Sequence, residues 1–268
     1  MASLPHSALK GLSNSRMAVA SFSQWDPAAY LATYYSKIEP EEAHTLRFLV
    51  REAQRLESDA SVLEFGIGPT LHHVLPFARL AREIHVADLL PANLEAVRQW
   101  CAQKPGAFNW REFTREVLIA EGIQQPSEEE IDARERRTRE RLTCSLLGDA
   151  RLRHPLGEAY SSRYDCVVSC YCADSATASK HEWFRYLRNI TSLLAPGGRF
   201  VLAALRNCSF YRVGNVRFPS PAIDEYDLQR ALTMLNFDMG SVVLQVYPVP
   251  EQLRAGFQSI ALASGRIR

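Results

Sequence analysis

Val62-Leu-Glu-Phe-Gly-Ile-Gly-Pro-Thr70 is a short apolar run that breaks into two closely spaced glycines and then a Pro-Thr pair. The apolar part, Val62–Phe65, reads as a buried strand, and Pro69 suits the first turn of a helix predicted to run through Leu80. Glu83–Leu89 supplies a second strand, and Pro91 and Asn93 begin a second helix that reaches Trp100. Strand, helix, strand, helix within about forty residues is the pattern of a parallel sheet covered on both sides.

The pattern extends both ways along the chain. Upstream, Glu41–Leu56 is predicted as a helix with Ala43, Leu46, Phe48, Leu49, Ala53 and Leu56 on its apolar face. Phe22 to Tyr35 holds Phe22, Trp25, Tyr30, Tyr34 and Tyr35, the aromatic density of a segment that packs on something. Residues 1–20, rich in Ser and Ala without periodicity, read as a mobile arm. Downstream, Glu128–Arg141 carries opposite charges at i, i+3 and i+4 and reads as a solvated helix rather than a basic binding stripe. Tyr164–Ser169 and Arg199–Leu205 follow as strands, the second after a turn at Pro196-Gly-Gly198, with Glu182–Leu194 and Asp224–Leu235 as helices. Val242–Val246 and Gln258–Ala263 are final strands able to pair with each other. No internal repeat is visible. The organisation expected is an N-terminal arm and cap over 1–57 and an α/β domain over 58–268, forming one structural unit.

Composition narrows the function. A chain of 268 residues with 47% hydrophobic and 23% charged side chains can bury a large core. Thirty-one basic against thirty acidic side chains leave no broad field for a polyanion or an anionic bilayer, so neither nucleic acid nor membrane is an expected partner. No apolar run approaches the roughly 18 residues of a spanning helix. Met1–Met17 lacks the apolar middle of a secretory signal, so a cytoplasmic location is expected. Of six cysteines, Cys166, Cys170 and Cys172 stand at i, i+4 and i+6, which puts them on one face of a strand as packing groups. A metal reading of Cys170 and Cys172 lacks a second ligand pair, and no metal is expected.

A strand that runs into glycines and then a helix cradles phosphate when it continues as Gly-x-Gly-x-x-Gly, but here the sixth position is Leu71. Gly66-Ile-Gly68 alone is equally an ordinary turn. Two carboxylates sharpen it. Glu64 precedes the first glycine, and Asp88 ends the next strand 22 residues after Gly66, where a carboxylate accepts from both hydroxyls of a ribose. An adenosine-bearing ligand is indicated. A dinucleotide would add a pyrophosphate, which the absent third glycine does not serve. S-adenosylmethionine (AdoMet) brings a ribose and an amino acid without phosphate, and bare main chain at Gly66 and Gly68 would admit its methionyl portion.

Leu63-Glu-Phe-Gly-Ile-Gly-Pro-Thr70, Asp88-Leu-Leu-Pro-Ala-Asn93, Pro105-Gly-Ala-Phe-Asn-Trp110 and Leu193-Leu-Ala-Pro-Gly-Gly198 together resemble one AdoMet-dependent family. It contains nicotinamide, phenylethanolamine and indolethylamine N-methyltransferases and thioether S-methyltransferase, and the similarity runs from about Phe22 to Ala263. The resemblance implies a Rossmann-like α/β fold: a seven-stranded, mostly parallel sheet with helices on both faces, the last strand antiparallel, and an N-terminal helical cap over the cofactor. It implies that Tyr30 and Tyr35 hold the cofactor's carboxylate. Gly66, Gly68 and Thr70 would line its methionyl side with Glu64, Asp88 would take the ribose, and Asn93 would lie beside the adenosine. Asp149, with Ala150, would meet the adenine, although Asp149 reads equally as a turn acid. Ser169-Cys-Tyr-Cys-Ala-Asp174 would open the acceptor side, with Ser169 toward the cofactor.

Tyr171 and Asp174 match the family's substrate-facing positions, Asp174 as the group that orients an amine and takes its proton; an N-cap is the plainer alternative for it. Tyr34, Phe113 and Tyr211 are further wall candidates or ordinary core. The sequence also departs from the family. Phe22 stands where a tyrosine is usual, Ile67 replaces a serine, and Ala203 falls where the nicotinamide enzyme has an acid, which argues against nicotinamide. Glu251 and Gln252 lie near the catecholamine enzyme's C-terminal carboxylate. The implied activity is methyl transfer to the nitrogen of a small amine or N-heteroaromatic, giving S-adenosylhomocysteine, by a monomer or weak homodimer. Transfer to a thiol or phenol, a non-catalytic AdoMet-binding module and a nicotinamide-dependent oxidoreductase are the alternatives.

Overall fold

Every residue of Ala60–Phe65 (β1) is buried, as a central strand with both faces covered requires. The computed structural model describes residues 22–268; the arm expected over 1–20 lies outside them. Around β1 the chain builds a seven-stranded sheet. Its strands are Ala81–Asp88 (β2), Leu142–Leu147 (β3), Tyr164–Cys170 (β4), Leu194–Leu205 (β5), Val243–Pro248 (β8) and Ser259–Arg266 (β9). Their order is β3-β2-β1-β4-β5-β9-β8, and β9 alone runs antiparallel to its neighbours. From β1 the chain first builds outward through β2 and β3, then returns to the other side of β1 with β4. That reversal opens a crevice at the carboxyl ends of β1 and β4, where open α/β sheets bind ligands.

Helices cover both faces. Pro40–Ala53 (α2) buries Leu46, Phe48, Leu49 and Val50 in the same cluster as Val62, Ile260 and Leu262, so this part of the expected cap belongs to the main core. Pro91–Cys101 (α3), Arg111–Ala120 (α4) and Glu128–Arg141 (α5) follow β2. On the other face, Lys180–Thr191 (α6) and Glu225–Met234 (α7) pack Trp183, Leu187, Ile190, Leu228 and Leu232 against Leu63, Phe200 and Leu202. A short helix, Pro27–Tyr34 (α1), is N-capped by Asp26, and a hairpin of Phe210–Val213 (β6) and Val216–Pro219 (β7) faces it. Among the described residues no helix is long and apolar enough to cross a membrane.

Three local expectations need correction. The α-helix predicted from Pro69 to Leu80 does not form: the segment is a chain of turns ending in a single 3-10 turn at Phe77–Arg79, with Val74, Phe77 and Leu80 N–H donating to the Leu71, Val74 and Phe77 carbonyls. Pro76 lacks an N–H, would crowd the His72 carbonyl in a helix and disfavours helical backbone at Leu75. Burial of every residue from Pro69 to Ala78 holds the turns in place. Second, α5 is not fully solvated. Ile131, Arg134, Glu135 and Thr138 are buried, with Arg134 paired to Glu121 at 2.6 Å and donating to the Leu75 carbonyl. Third, Cys172 does not share a face with Cys166 and Cys170. Tyr171 takes a left-handed backbone (φ 52°), which ends the strand and turns Cys172 toward the opposite core. All six cysteines are free.

Candidate active site

A cavity of about 580 Å³ occupies the crevice, a size suited to a cofactor-sized molecule. The turn after β1 forms one wall. Gly66 and Ile67 N–H groups both donate to the Ala87 carbonyl, at 2.8 and 3.1 Å, which pulls the turn over β2. Gly66 sits at φ 81°, and a Cβ there would lie 2.2 Å from Cys172 Sγ and 2.5 Å from Cys172 Cβ. Its bareness therefore admits the chain's own β4 loop, not only a ligand. Gly68, at φ 64°, meets nothing nearer than Tyr30 at 3.9 Å and leaves its side of the turn open. Thr70 closes the turn by donating to the Ile67 carbonyl at 2.6 Å.

Asp88 stands at the tip of β2, buried by its surroundings. Its Oδ2 accepts from Gly68 N–H at 2.8 Å, and its Oδ1 from Leu90 N–H at 2.8 Å and Asn93 Nδ2 at 3.0 Å. Burial pushes its pKa up, and these three donors hold it down in part. Asn93 Oδ1 in turn accepts from Trp25 Nε1–H at 2.8 Å, which ties the segment before α1 to α3. Farther along the cavity, Asp149 is clamped by Arg151 at 2.7 to 3.1 Å, and that bond keeps its carboxyl below the usual range. Ala150 lies beside it on the wall.

At the other end Tyr30, Tyr171, Ser175 and Tyr211 line both the cavity and a narrow recess that also contains Tyr34, Tyr35 and Glu41. Hydroxyl contacts fix these rings: Tyr30 with Tyr35 at 3.2 Å, Tyr171 with Thr45 at 2.7 Å, Tyr34 to the Arg212 carbonyl at 2.6 Å, and Tyr211 to the Ser175 carbonyl at 3.1 Å. The left-handed backbone of Tyr171 points its ring into this space, a strained conformation of the kind that functional sites retain.

The structure thus gathers Tyr30, Gly66, Gly68, Thr70, Asp88, Asn93, Asp149, Ala150, Tyr171 and Tyr211 on the cavity, and Tyr34 and Tyr35 on the recess. Five expected site residues line neither. Glu64 is buried on β1 and bonded to His73 Nδ1 at 2.8 Å. Ser169 donates to the Phe65 carbonyl at 2.9 Å, spanning β4 to β1. Phe113 packs behind Tyr35 and Trp110, and Ala203 is enclosed within β5. Asp174 is buried and lines neither space; its Oδ2 accepts from Leu205 N–H at 2.8 Å, bracing β5, and its Oδ1 is buried without a partner. Sequence reasoning missed Glu41, whose position behind Pro40 reads as an ordinary first-turn acid.

Burial pushes the Asp174 carboxyl up to about 7. The native state then keeps a proton that the unfolded chain releases above about pH 4, so this group lowers stability as pH rises from about 4 to 7. Asp174→Asn should therefore gain stability relative to the parent across that window, on the order of 2 kcal/mol at pH 8. Thermal melts at pH 5 and pH 8 check it, and an equal shift at both would be against it.

The NNMT/PNMT/TEMT family model matches residues 16–255. The chain belongs to this family. Phenylethanolamine N-methyltransferase of Macaca mulatta is 27% identical over 91% of this chain and 89% of its own length. Indolethylamine N-methyltransferase of Oryctolagus cuniculus is 30% identical over 80% and 82%, and human nicotinamide N-methyltransferase 29% over 74% and 76%. Solved structures agree on the fold. A Burkholderia thailandensis 1,6-didemethyltoxoflavin-N1-methyltransferase with bound S-adenosylhomocysteine superposes with a TM-score of 0.53 at 16% identity, covering 100% of this chain and 93% of that one. A Methanosarcina mazei SAM-dependent methyltransferase gives 0.54 at 13%, covering 81% and 97%. NNMT/PNMT/TEMT membership agrees with the seven strands and the antiparallel β9.

Proposed function

We propose that this member of the NNMT/PNMT/TEMT family is an AdoMet-dependent methyltransferase that acts on the nitrogen of a small amine or N-heteroaromatic. The observation that carries the reading is one cavity that runs from Asp149 past Asp88 and Gly68 to Tyr30, Tyr171 and Tyr211, residues that also line an adjoining recess of about 30 Å³ with the buried Glu41. The residues fit the cofactor: Asp88 for the ribose, Asn93 and Asp149 for the adenosine, Gly68 and Thr70 for the methionyl portion, Tyr30 and Tyr35 for its carboxylate. When bound, AdoMet supplies a methyl group already made electrophilic by its sulfonium.

The chain's own task is then positioning. An amine seated against Tyr30, Tyr171 and Tyr211 is held near the methionyl end of the cavity, and such alignment supplies several kcal/mol. Tyrosine faces attract a cation; burial and the neighbouring Glu42 push the Glu41 carboxyl up to about 8, so it holds its proton in the recess and becomes the counter-charge when a cationic amine enters. Glu41, with the Tyr171 hydroxyl beside it, takes the place that sequence reasoning gave to Asp174. The six free thiols suit a reducing compartment, consistent with a cytoplasmic enzyme. Its balanced surface charge suits a small-molecule substrate without nucleic acid or membrane, for a monomer or weak homodimer.

Labelled AdoMet with a panel of amines, thiols and phenols tests the reading; label retained by the cofactor across the whole panel would sink it. Glu41→Gln should lower kcat/KM for a cationic amine roughly tenfold to a hundredfold, the worth of one charge-assisted contact, while S-adenosylhomocysteine affinity stays within about threefold. An equal loss for neutral acceptors would remove Glu41 from the acceptor site.

A further inference from the structure

We infer that Glu42, His72 and His73 form a binding site for a divalent cation of the zinc class, with Glu64 orienting His73 from outside the ligand set. Methyl transfer as proposed above makes no use of this cluster. Glu42 lies in the first turn of α2, and the two histidines lie in the turns after β1. One donor atom from each lies within 4.8 Å of the other two, and all three residues are buried. His72 Nε2 is 2.9 Å and His73 Nε2 4.0 Å from Glu42 Oε1. A tetrahedral ion with bonds of about 2.1 Å spaces its donors by about 3.4 Å, between those two values, so side-chain shifts alone close the site.

The unpaired atoms point the same way. Both carboxylate oxygens of Glu42, both ring nitrogens of His72 and Nε2 of His73 are buried without a hydrogen-bond partner. The 2.9 Å approach of His72 to Glu42 lacks the alignment of a hydrogen bond. Five such atoms in one place carry a desolvation cost that a coordinated ion would remove. His73 Nδ1 meets Glu64 Oε1 at 2.8 Å, which fixes the ring with Nε2 toward Glu42; carboxylate-histidine-metal sites are oriented in this way. His72 is held by stacking on Trp110 (5.0 Å between centroids, 15° between planes) and by Tyr35 at 4.7 Å.

Charge and backbone complete the case. Glu41, Glu42 and Glu64 are all buried, and among the described ion pairs only the imidazoles of His72 and His73 face Glu42 and Glu64, with no Lys or Arg, so a dication would balance the excess of carboxyls. Consecutive residues on a helix do not face each other, and the turns imposed by Pro76 instead bring the two imidazoles to 3.9 Å. His73 reaches the large cavity, which gives an ion a way in. Bound there, the ion would join α2 to the turn beneath Gly68.

The test uses the full chain with any affinity tag removed, stripped by a chelator and titrated with Co²⁺, whose visible bands report a ligand field. One equivalent is expected, with a melting temperature raised by several degrees, and Glu64→Gln should weaken the affinity tenfold to a hundredfold. No bands and no melting shift with Co²⁺ or Zn²⁺ would overturn the site. So would stoichiometric bands that persist in both Glu42→Gln and His72→Gln. The readout needs no AdoMet and no methyl acceptor, so its failure leaves the methyltransferase reading untouched.

Discussion

Asp88→Ala should weaken binding of S-adenosylhomocysteine at least about a hundredfold while the chain stays folded. The carboxylate is oriented by three donors from its own chain, Gly68 N–H, Leu90 N–H and Asn93 Nδ2, and keeps acceptor capacity toward the cavity. A hydrogen bond from a ribose hydroxyl to a charged acceptor is worth about 1.5–3 kcal/mol, and two of them account for the expected loss. Removing the carboxylate also leaves Gly68 N–H and Asn93 Nδ2 without their partner, so the turn that shapes the methionyl side loosens with it. Asp88→Asn, which keeps an acceptor oxygen but no charge, should lose about tenfold. Calorimetry on both variants, with circular dichroism for the fold, measures this. Binding within threefold of the parent in Asp88→Ala would place the nucleoside elsewhere.

The second large effect is on stability. Gly66→Ala should cost about 2–5 kcal/mol, from two sources. A left-handed backbone costs a side-chain-bearing residue about 1–2 kcal/mol, and Gly66 has φ 81°. The new methyl would also meet Cys172 Sγ at 2.2 Å and Cys172 Cβ at 2.5 Å. Rotating the thiol relieves only the first contact, and such overpacking costs about 1–3 kcal/mol. In a chain of this size the sum corresponds to a melting temperature lower by roughly 5–15 °C. Cys172→Gly in the same chain should recover the steric part and not the backbone part, a coupling that a double-mutant cycle reads directly. A single variant that melts within 2 °C of the parent would show that the β1 and β4 loops do not touch as described.

The sheet was readable because buried parallel strands are continuous apolar runs, and β1, β2, β4 and β5 stand out as such between turn residues. The edge strand β3 was not, since Leu142–Leu147 is only half covered and carries no such run. The Pro69–Leu80 helix was misread because one proline, Pro76, outweighed a favourable start at Pro69. The places of Gly66, Gly68, Asp88 and Asp149 on the cavity wall were legible, since each lies at a fixed place relative to a strand end. The acceptor side was less so. Asp174 has the right position in the chain, but the left-handed turn at Tyr171 decides where the following side chains go, and sequence spacing does not encode that turn. Glu41 and Glu42 look like ordinary helix-start acids until α2 is docked on the sheet.

One indole hydrogen has consequences for how a product leaves. Trp25 bonds Asn93, and Asn93 bonds Asp88, so the aromatic segment ahead of α1 and the carboxylate proposed to hold the ribose are linked by one chain of contacts. On the proposed reading, exit of the spent nucleoside and lifting of that segment would be coupled, and Trp25→Phe should then shorten the dwell time of the demethylated product.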